Sequence, residues 1–306
     1  MPAPAPAASP RDTRRALLLM AVAVALFALM DAGLKLLAPH YPPLQVGALR
    51  GLSSLPFLLA WIAATTGFST LLRVRWPLHL LRAALGIAMM AGFVYGLRTL
   101  PLSTAYAITF VAPLLVTALA VPLLGERVGP RRWGAIGVGL VGVLVVLRPT
   151  GQGMLTLAGL AVLGAAVCYA VGAITVRLLA RTDSTQAMVF WLMALLGAGS
   201  ALLAWPAWRP VEPAHLWLIA GVGLAGSLAQ VALTEAFRRG EASLVAPLEY
   251  TALVWGVLLD ATVWGVLPDR VTWLGAAIIV ASGLYLLRRE RVRGAEVAPA
   301  AADSRP

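Results

Sequence analysis

The sequence predicts an all-α membrane protein of ten transmembrane helices, arranged as two inverted five-helix repeats. Composition is the first reason: hydrophobic residues make up 60% of the 306 residues and charged residues only 12%. A soluble domain of this size cannot cover so much apolar surface. The net charge of +11 comes from basic residues at the ends of apolar segments, where they orient a membrane protein rather than bind nucleic acid. The expected surroundings are therefore a lipid bilayer, and no nucleic-acid partner is expected.

An internal repeat is the second reason. The stretch 97–149 recurs at a constant offset of 140 residues, and each copy holds two apolar segments joined by a short polar turn. The offset superposes identical residues, namely Arg98 on Arg238, Ser103 on Ser243, Ala112 on Ala252, Gly125 on Gly265 and Trp133 on Trp273. A duplication of this length is a property of the whole fold and indicates a membrane protein built from two related halves.

Apolar runs of about twenty residues, bounded by Arg, Pro or Gly, define the ten predicted spans. Their cores are residues 16–37, 44–65, 81–97, 103–124, 133–147, 157–179, 187–205, 216–237, 243–264 and 271–287. The third and fifth are short. These runs divide the chain into a disordered cytoplasmic tail (1–15), a first repeat (16–149), a second repeat (150–290) and a second disordered cytoplasmic tail (291–306).

The distribution of basic residues predicts the topology. Of the 24 Lys and Arg residues, 18 lie in the tails, the connections or the ends of spans on the side of the N-terminus, five lie on the opposite side and Arg50 lies deeper within a span. The positive-inside bias therefore predicts that both termini are cytoplasmic. Five spans per repeat is an odd number, so the second repeat enters the membrane in the opposite sense. Inverted repeats of this kind are typical of transporters that work by alternating access.

Two related motifs carry a resemblance to a known family: PLSTAYAITFVAPLLVTALAVPLLGERV and SLVAPLEYTALVWGVLLDATVWGVLPD, each followed by a Gly-rich span that ends in Arg. With them, the chain resembles the EamA family of the drug/metabolite transporter superfamily over residues 16–290. The resemblance implies a ten-span carrier in a bacterial inner membrane, with a central cavity lined largely by the third, fourth, eighth and ninth spans. The chain departs from the family at Gly265-Val266, where a second acidic residue usually matches Gly125-Glu126.

The function implied by this resemblance is secondary transport of a small, amino-acid-like metabolite, with protons as a candidate coupling ion. An importer of a larger planar solute, such as riboflavin or a nucleoside-like compound, is the alternative. The sequence holds no GxxxxGK[ST] run for ATP, and we expect no cofactor.

Ionisable side chains within spans are costly and therefore mark functional candidates. Asp31 and Arg50 lie six or seven residues from the outer ends of the first two spans, which places both about 10 Å deep. Two interpretations stay open: a buried ion pair that locks two antiparallel helices, or a site for an anionic or zwitterionic substrate.

Glu249 lies about six residues into the ninth span from its cytoplasmic end. Its repeat partner is Thr109, and Tyr250 is paired with Phe110. Inverted symmetry sets these two pairs at matching depths from opposite faces, which brackets a site near the middle of the membrane. There Glu249 can exchange a proton when substrate binds, or it can be held by other groups for packing alone.

Aromatic and amide side chains complete the candidate set. Tyr95, Tyr106, Phe110, Tyr250 and Trp255 lie within spans, where they can stack on a planar substrate or serve helix packing. Gln230 can hydrogen-bond either a substrate or a neighbouring helix.

An intramembrane aspartyl enzyme that uses Asp31 and Asp260 is the alternative from another class, because such a dyad needs two carboxyl groups that share a proton. Neither residue lies in a GxGD motif, and Asp260, near the outer end of its span, is interpreted as a solvated interfacial carboxylate. The histidines, His40, His79 and His215, fall in predicted loops. The sequence therefore predicts no catalytic residue and no metal site.

Overall fold

The computed structural model describes residues 10–72, 74–124, 129–147, 156–179, 182–239 and 246–300. These residues form α-helices and no strand, which confirms the all-α prediction. The helices are α1 Pro10–Leu37, α2 Pro43–Thr65, α3 Trp76–Leu97, α4 Leu102–Thr109, α5 Ala112–Leu124, α6 Pro130–Leu147, α7 Leu157–Leu179, α8 Thr185–Ala204, α9 Leu216–Arg239, α10 Ala252–Val263 and α11 Arg270–Ala300. Short 3₁₀ segments cover Phe68–Leu71, Trp205–Ala207, Pro213–His215 and Ala246–Thr251.

Seven helical segments are long and apolar enough to cross a membrane by length and composition. Two shorter apolar helices, Trp133–Val146 and Arg270–Tyr285, accompany them. Large apolar side chains such as Leu202, Trp205 and Trp217 are 76%, 77% and 87% exposed. In water such a surface would be a liability, whereas it suits contact with lipid.

The ends of the predicted spans and tails differ in places from the helices. α1 begins at Pro10 and α11 continues to Ala300, beyond the ends at residues 16 and 287 that hydropathy gave. Residues 1–9 and 301–306 lie outside the described residues, as do Gly125 and Glu126. The division of the chain into tails and repeats stays a prediction.

The third helix is longer than hydropathy predicts. α3 begins at Trp76, five residues before the predicted core, because Pro77 is tolerated in the first turn of a helix and the polar residues that follow have partners. The prediction that His79 lies in a loop is wrong: it lies in α3, where its Nε2 is 2.8 Å from Asp183 Oδ2. Arg82 Nη1 donates to the Met188 carbonyl at 2.8 Å.

Asp183 joins the loop before α8 to the start of α3. Besides contacting His79, its carboxylate accepts hydrogen bonds from the Arg75 N–H and the Thr182 hydroxyl. Burial raises the pKa of Asp183, but these hydrogen bonds and the imidazole outweigh it and hold the pKa below the ordinary value. The buried side chains of this pair thus stabilise one end of the bundle.

The predicted fourth span is divided into α4 and α5 at Phe110 and Val111. Pro113 explains the break, because it has no N–H to donate to the Thr109 carbonyl and its ring would clash with that carbonyl in a continuous helix. The Val111 N–H instead bonds to the Ile108 carbonyl. Residues 102–108, nearly all of α4, are buried, so this short helix lies in the core of the bundle.

The long helices pack in pairs: α1 on α9, α2 on α8, α3 on α7 and α6 on α11. Small residues allow close approach. A Cβ added to Gly51 in α2 would lie 2.6 Å from the Gly197 Cα in α8. The helix α10 packs on α4, and Gly265 follows it with a φ of 65°, a left-handed conformation that glycine adopts without strain. Each pair joins one helix from the first half of the chain to one from the second.

Candidate functional site

An aromatic cluster fills the space where α4, the 3₁₀ segment Ala246–Thr251 and α11 meet. The Tyr106 and Phe110 rings are nearly parallel at 20°, with centroids 6.5 Å apart. The Phe110 ring meets the Tyr250 ring edge to face, at 5.1 Å and 76°. Gly256 packs against Tyr106, and Gly283 packs against the Tyr250 hydroxyl. The structure thus brings together three of the predicted site residues, Tyr106, Phe110 and Tyr250.

The Tyr250 hydroxyl is buried and has no hydrogen-bond partner within the described part of the chain. An unpaired buried hydroxyl costs free energy, and a functional site can retain such a group. The adjacent Gly283 has no side chain that could form a hydrogen bond with this hydroxyl. The hydroxyl is therefore available to a small molecule or to water.

Asp31, in α1, joins the edge of this cluster. The Tyr106 hydroxyl donates a hydrogen bond to Asp31 Oδ2 at 2.8 Å. Asp31 and Arg50 interact electrostatically, but among the described residues their side chains form no direct ion pair. The sequence left open a direct ion pair between Asp31 and Arg50, and this pair is not formed in this conformation.

Arg50 instead borders a narrow cleft between α2, α8 and α9, whose volume of about 10 Å³ holds little more than one water molecule. Its Nη1 lies 3.8 Å from the Met90 sulfur. The cleft is lined by Ser54, Leu58, Val189, Met193, Gly226, Ser227 and Gln230. Within the residues that the structure covers, the amide of Gln230 makes no hydrogen bond and the guanidinium of Arg50 contacts no carboxylate. The Arg50 guanidinium and the Gln230 amide thus border the same cleft, and both have donors or acceptors that are still free to form hydrogen bonds.

Glu249 lies in the 3₁₀ segment Ala246–Thr251 and is half-buried. It interacts electrostatically with Tyr169 of α7, which in turn interacts with Arg82 of α3. Its carboxylate forms no hydrogen bond or ion pair with any residue that the structure describes. The described residues therefore include no group that holds the Glu249 carboxylate in place for packing alone.

Asp260 was interpreted from the sequence as a solvated interfacial carboxylate, and this is wrong. The residue is 0% exposed. Its Oδ1 accepts from Lys35 Nζ at 2.8 Å and from the Leu102 N–H at 2.9 Å, and its Oδ2 accepts from the Ser103 N–H and hydroxyl, both at 2.7 Å. The carboxylate thus caps the start of α4, where the helix dipole favours a negative charge.

Lys35 completes this network. Its Nζ lies 4.1 Å from the centre of the Trp264 ring, which adds a cation–π contact to the ion pair. The signal that could have found the pair is the position of Lys35, four residues after Asp31 and on the same face of α1. An ammonium at that position needs a carboxylate from another helix.

The remaining predicted residues do not join the cluster. Tyr95 and Trp255 are 37% and 36% exposed, and neither side chain forms a hydrogen bond with the described residues. Thr109 lies beside Phe110, but its hydroxyl donates to the Ala105 carbonyl at 2.8 Å. Their part in binding stays a prediction.

Comparison with known proteins places this geometry in context. Residues 14–148 and 156–288 each match the EamA-like transporter family. A riboflavin transporter of Rhizobium johnstonii is 33% identical over 79% of this chain and 78% of that protein. An S-adenosylmethionine uptake transporter of Rickettsia conorii is 30% identical over 78% of this chain and 79% of that protein. A solved crystal structure has the same fold, with a TM-score of 0.63 at 22% identity over 90% of this chain and 98% of that chain.

Proposed function

The chain belongs to the EamA-like transporter family, and from this premise we propose that it moves a small organic metabolite across a bacterial inner membrane by alternating access. Its relatives are named transporters of small molecules. Seven apolar helices suited to spanning a bilayer make it a multi-pass membrane protein. Family and relatives alike indicate a transporter rather than an enzyme.

The proposed architecture is ten spans in two inverted repeats, with both termini cytoplasmic. Helix starts support it: α5 begins at Ala112 and α10 at Ala252, and the offset of 140 residues relates these positions. Phe110 and Tyr250 are repeat partners and their rings are in contact, as expected for residues near a twofold axis. The distribution of Arg and Lys supports the orientation.

One observation carries the proposed binding site, the cleft beside Arg50. A guanidinium within a span is costly unless a partner offsets it, and no carboxylate of the described chain pairs with Arg50. We propose that an anionic or polar group of the substrate binds there when the cleft widens during alternating access, with Gln230 as a second contact. Asp31 lies near enough to tune the charge of the site, and a zwitterionic, amino-acid-like substrate would meet both signs.

The riboflavin transporter among the relatives favours the second substrate class, a larger planar solute. The cluster of Tyr106, Phe110 and Tyr250 offers aromatic faces on which such a ring can stack. The unpartnered Tyr250 hydroxyl offers a hydrogen bond at the edge of the ring. Under this alternative the cluster, rather than Arg50, dominates binding.

Proton coupling is proposed to depend on Glu249. A carboxyl group without a fixed partner can take up and release a proton as its surroundings change. Asp260 is unsuited to this role, because each of its oxygens already accepts two hydrogen bonds. The same saturation argues against an aspartyl dyad of Asp31 and Asp260, which would have to share a proton.

Counterflow in proteoliposomes tests the proposal. Vesicles loaded with a mixed metabolite pool that includes amino acids, riboflavin and nucleosides are read by mass spectrometry, with and without a pH gradient. We expect exchange of one class above that of protein-free vesicles. A folded protein that exchanges none of the pool would contradict the proposal.

Two variants then separate the substrate classes. Arg50→Gln should abolish exchange of an amino-acid-like substrate, whereas Tyr250→Ala should be the more damaging change for a planar one. Trp217→Phe, on a side chain that is 87% exposed and borders neither site, is the control and should exchange normally. Normal exchange by Arg50→Gln and Tyr250→Ala alike would show that neither the cleft nor the aromatic cluster binds substrate.

A further inference from the structure

Three metal-binding side chains converge away from the aromatic cluster and the cleft. His40 lies in the loop after α1, and Glu212 and His215 lie in the connection between α8 and α9. One ligand atom from each of the three lies within 4.8 Å of the other two. The His40 and His215 ring centroids are 4.4 Å apart, and Glu212 Oε2 is 4.0 Å from His215 Nδ1.

The donor set has a defined chemistry. Two imidazoles and one carboxylate are ligands of Zn²⁺ and related divalent transition metals, with bonds of about 2.0–2.2 Å and a fourth position left to water. Tetrahedral ligands at that distance lie roughly 3.4 Å from one another. The donors therefore need to move by little more than about 1 Å to close on an ion. His40 and Glu212 are exposed, so solvent reaches the site.

A supporting contact orients one of the ligands. His215 Nδ1 is 2.7 Å from the Tyr41 hydroxyl; when Nδ1 carries the proton and donates it to the phenol oxygen, Nε2 is free to bind a metal. Metal-binding histidines are usually held in this way by a second polar group on the other ring nitrogen. Tyr41 is 1% exposed, and its hydroxyl also accepts the Glu212 N–H at 3.0 Å. One buried phenol thus contacts the ring of His215 and the backbone of Glu212.

Hydrogen bonds between side chains and backbone groups already hold the two loops together. Gln45 Nε2 donates to the Arg209 carbonyl at 2.6 Å, and the Arg209 N–H donates to Gln45 Oε1 at 2.9 Å. Arg209 Nη1 donates to the His40 carbonyl at 3.0 Å. The guanidinium adds a positive charge that weakens cation binding, but it also holds the His40 backbone beside the second loop.

We propose that His40, Glu212 and His215 bind a divalent transition-metal ion of the zinc class and thereby join the loop after α1 to the loop after α8. The ion links a residue that precedes α2 to residues that precede α9. It stabilises the contact between the two halves of the chain. The proposal stands apart from transport, because none of the three residues borders the cleft or the aromatic cluster.

Metal binding is measured on the full chain in detergent, purified without a polyhistidine tag. Zn²⁺ content after dialysis is read by elemental mass spectrometry, and added Co²⁺ by its visible absorption, whose intensity reports tetrahedral coordination. We expect one ion per chain and higher thermal stability with Zn²⁺, because an ion that binds only the folded state stabilises it. A stoichiometry near zero, or octahedral Co²⁺ alone, would overturn the proposal.

Variants assign the ligands. Tyr41→Phe should weaken the affinity by about 10- to 100-fold, the usual loss when the support of a ligand is removed. His40→Ala and His215→Ala should weaken it further. Ala214→Ser, on the same exposed turn, is the matched control and should bind normally. Unchanged affinity in His40→Ala, whose exposed side chain is not needed for folding, would also overturn the proposal.

Discussion

Removal of the Asp260 carboxylate should strongly destabilise the protein. Asp260→Ala leaves Lys35 Nζ, whose side chain is only 11% exposed, without its anion, and it leaves the Leu102 and Ser103 N–H groups without an acceptor. Loss of one partner of a buried ion pair costs roughly 3–5 kcal/mol in unfolding free energy. The unpaired N–H groups add to that loss.

Titration with a denaturing detergent, followed by tryptophan fluorescence, measures this loss. The ten tryptophans of the chain together report global unfolding, and Trp264 among them lies against Lys35. Lys35→Met should cost less than Asp260→Ala, because the remaining carboxylate keeps its three donors from α4. The double variant Lys35→Met/Asp260→Leu should also lose less than Asp260→Ala, because it leaves no uncompensated charge. The reasoning fails if Asp260→Ala costs under about 1 kcal/mol, the value typical of an exposed pair.

Three further predictions follow. Glu249→Gln should abolish the pH dependence of transport measured in proteoliposomes, and a normal pH profile would make Glu249 structural. Gly283→Ala should destabilise the fold by about 1–3 kcal/mol, typical of overpacking, because the new methyl group would overlap the Tyr250 hydroxyl; Tyr250→Phe in the same chain should restore part of the loss in detergent titration. Because the pKa of Asp183 is lowered in the folded state, its stabilisation should be present above about pH 4 and fall as the pH drops through the folded pKa. In thermal melts, Asp183→Asn should reduce the loss of stability at acid pH. An unchanged loss would show that Asp183 does not cause it.

Hydropathy located the helices well because each long apolar run has only one way to satisfy its backbone in lipid. α7 was predicted residue for residue, and α2 to within one residue. The start of α3 was missed, since His79 and Arg82 lower the local hydropathy and their partners, Asp183 and the Met188 carbonyl, come from a distant part of the chain. A hydropathy average over neighbouring residues does not include hydrogen-bond partners that are distant in sequence.

The candidate site was predictable where the repeat constrained it. The pairing of Phe110 with Tyr250 followed from the offset of 140 residues, and the two rings are in contact. Asp260 was misjudged because its depth along the span suggested solvent, whereas the turn between α3 and α4 places the start of α4 on its carboxylate. Tyr95 and Trp255 are aromatic residues within spans, like the residues of the cluster, but their helices are rotated so that these side chains do not join it. The rotation of a helix cannot be predicted when its sequence is apolar on every face.

Asp260 has a mechanical consequence for any change of shape. Its carboxylate bonds α1 through Lys35 and α4 through Leu102 and Ser103, so these helices and α10 should move as one rigid body. Pulling them apart would separate opposite charges in a medium of low dielectric. Bending must then take place elsewhere, and the break at Phe110 and Val111 is the nearest point at which the helical hydrogen bonding is already interrupted. The same proline that divides the fourth span would thus supply the hinge about which α5 swings while α4 stays fixed.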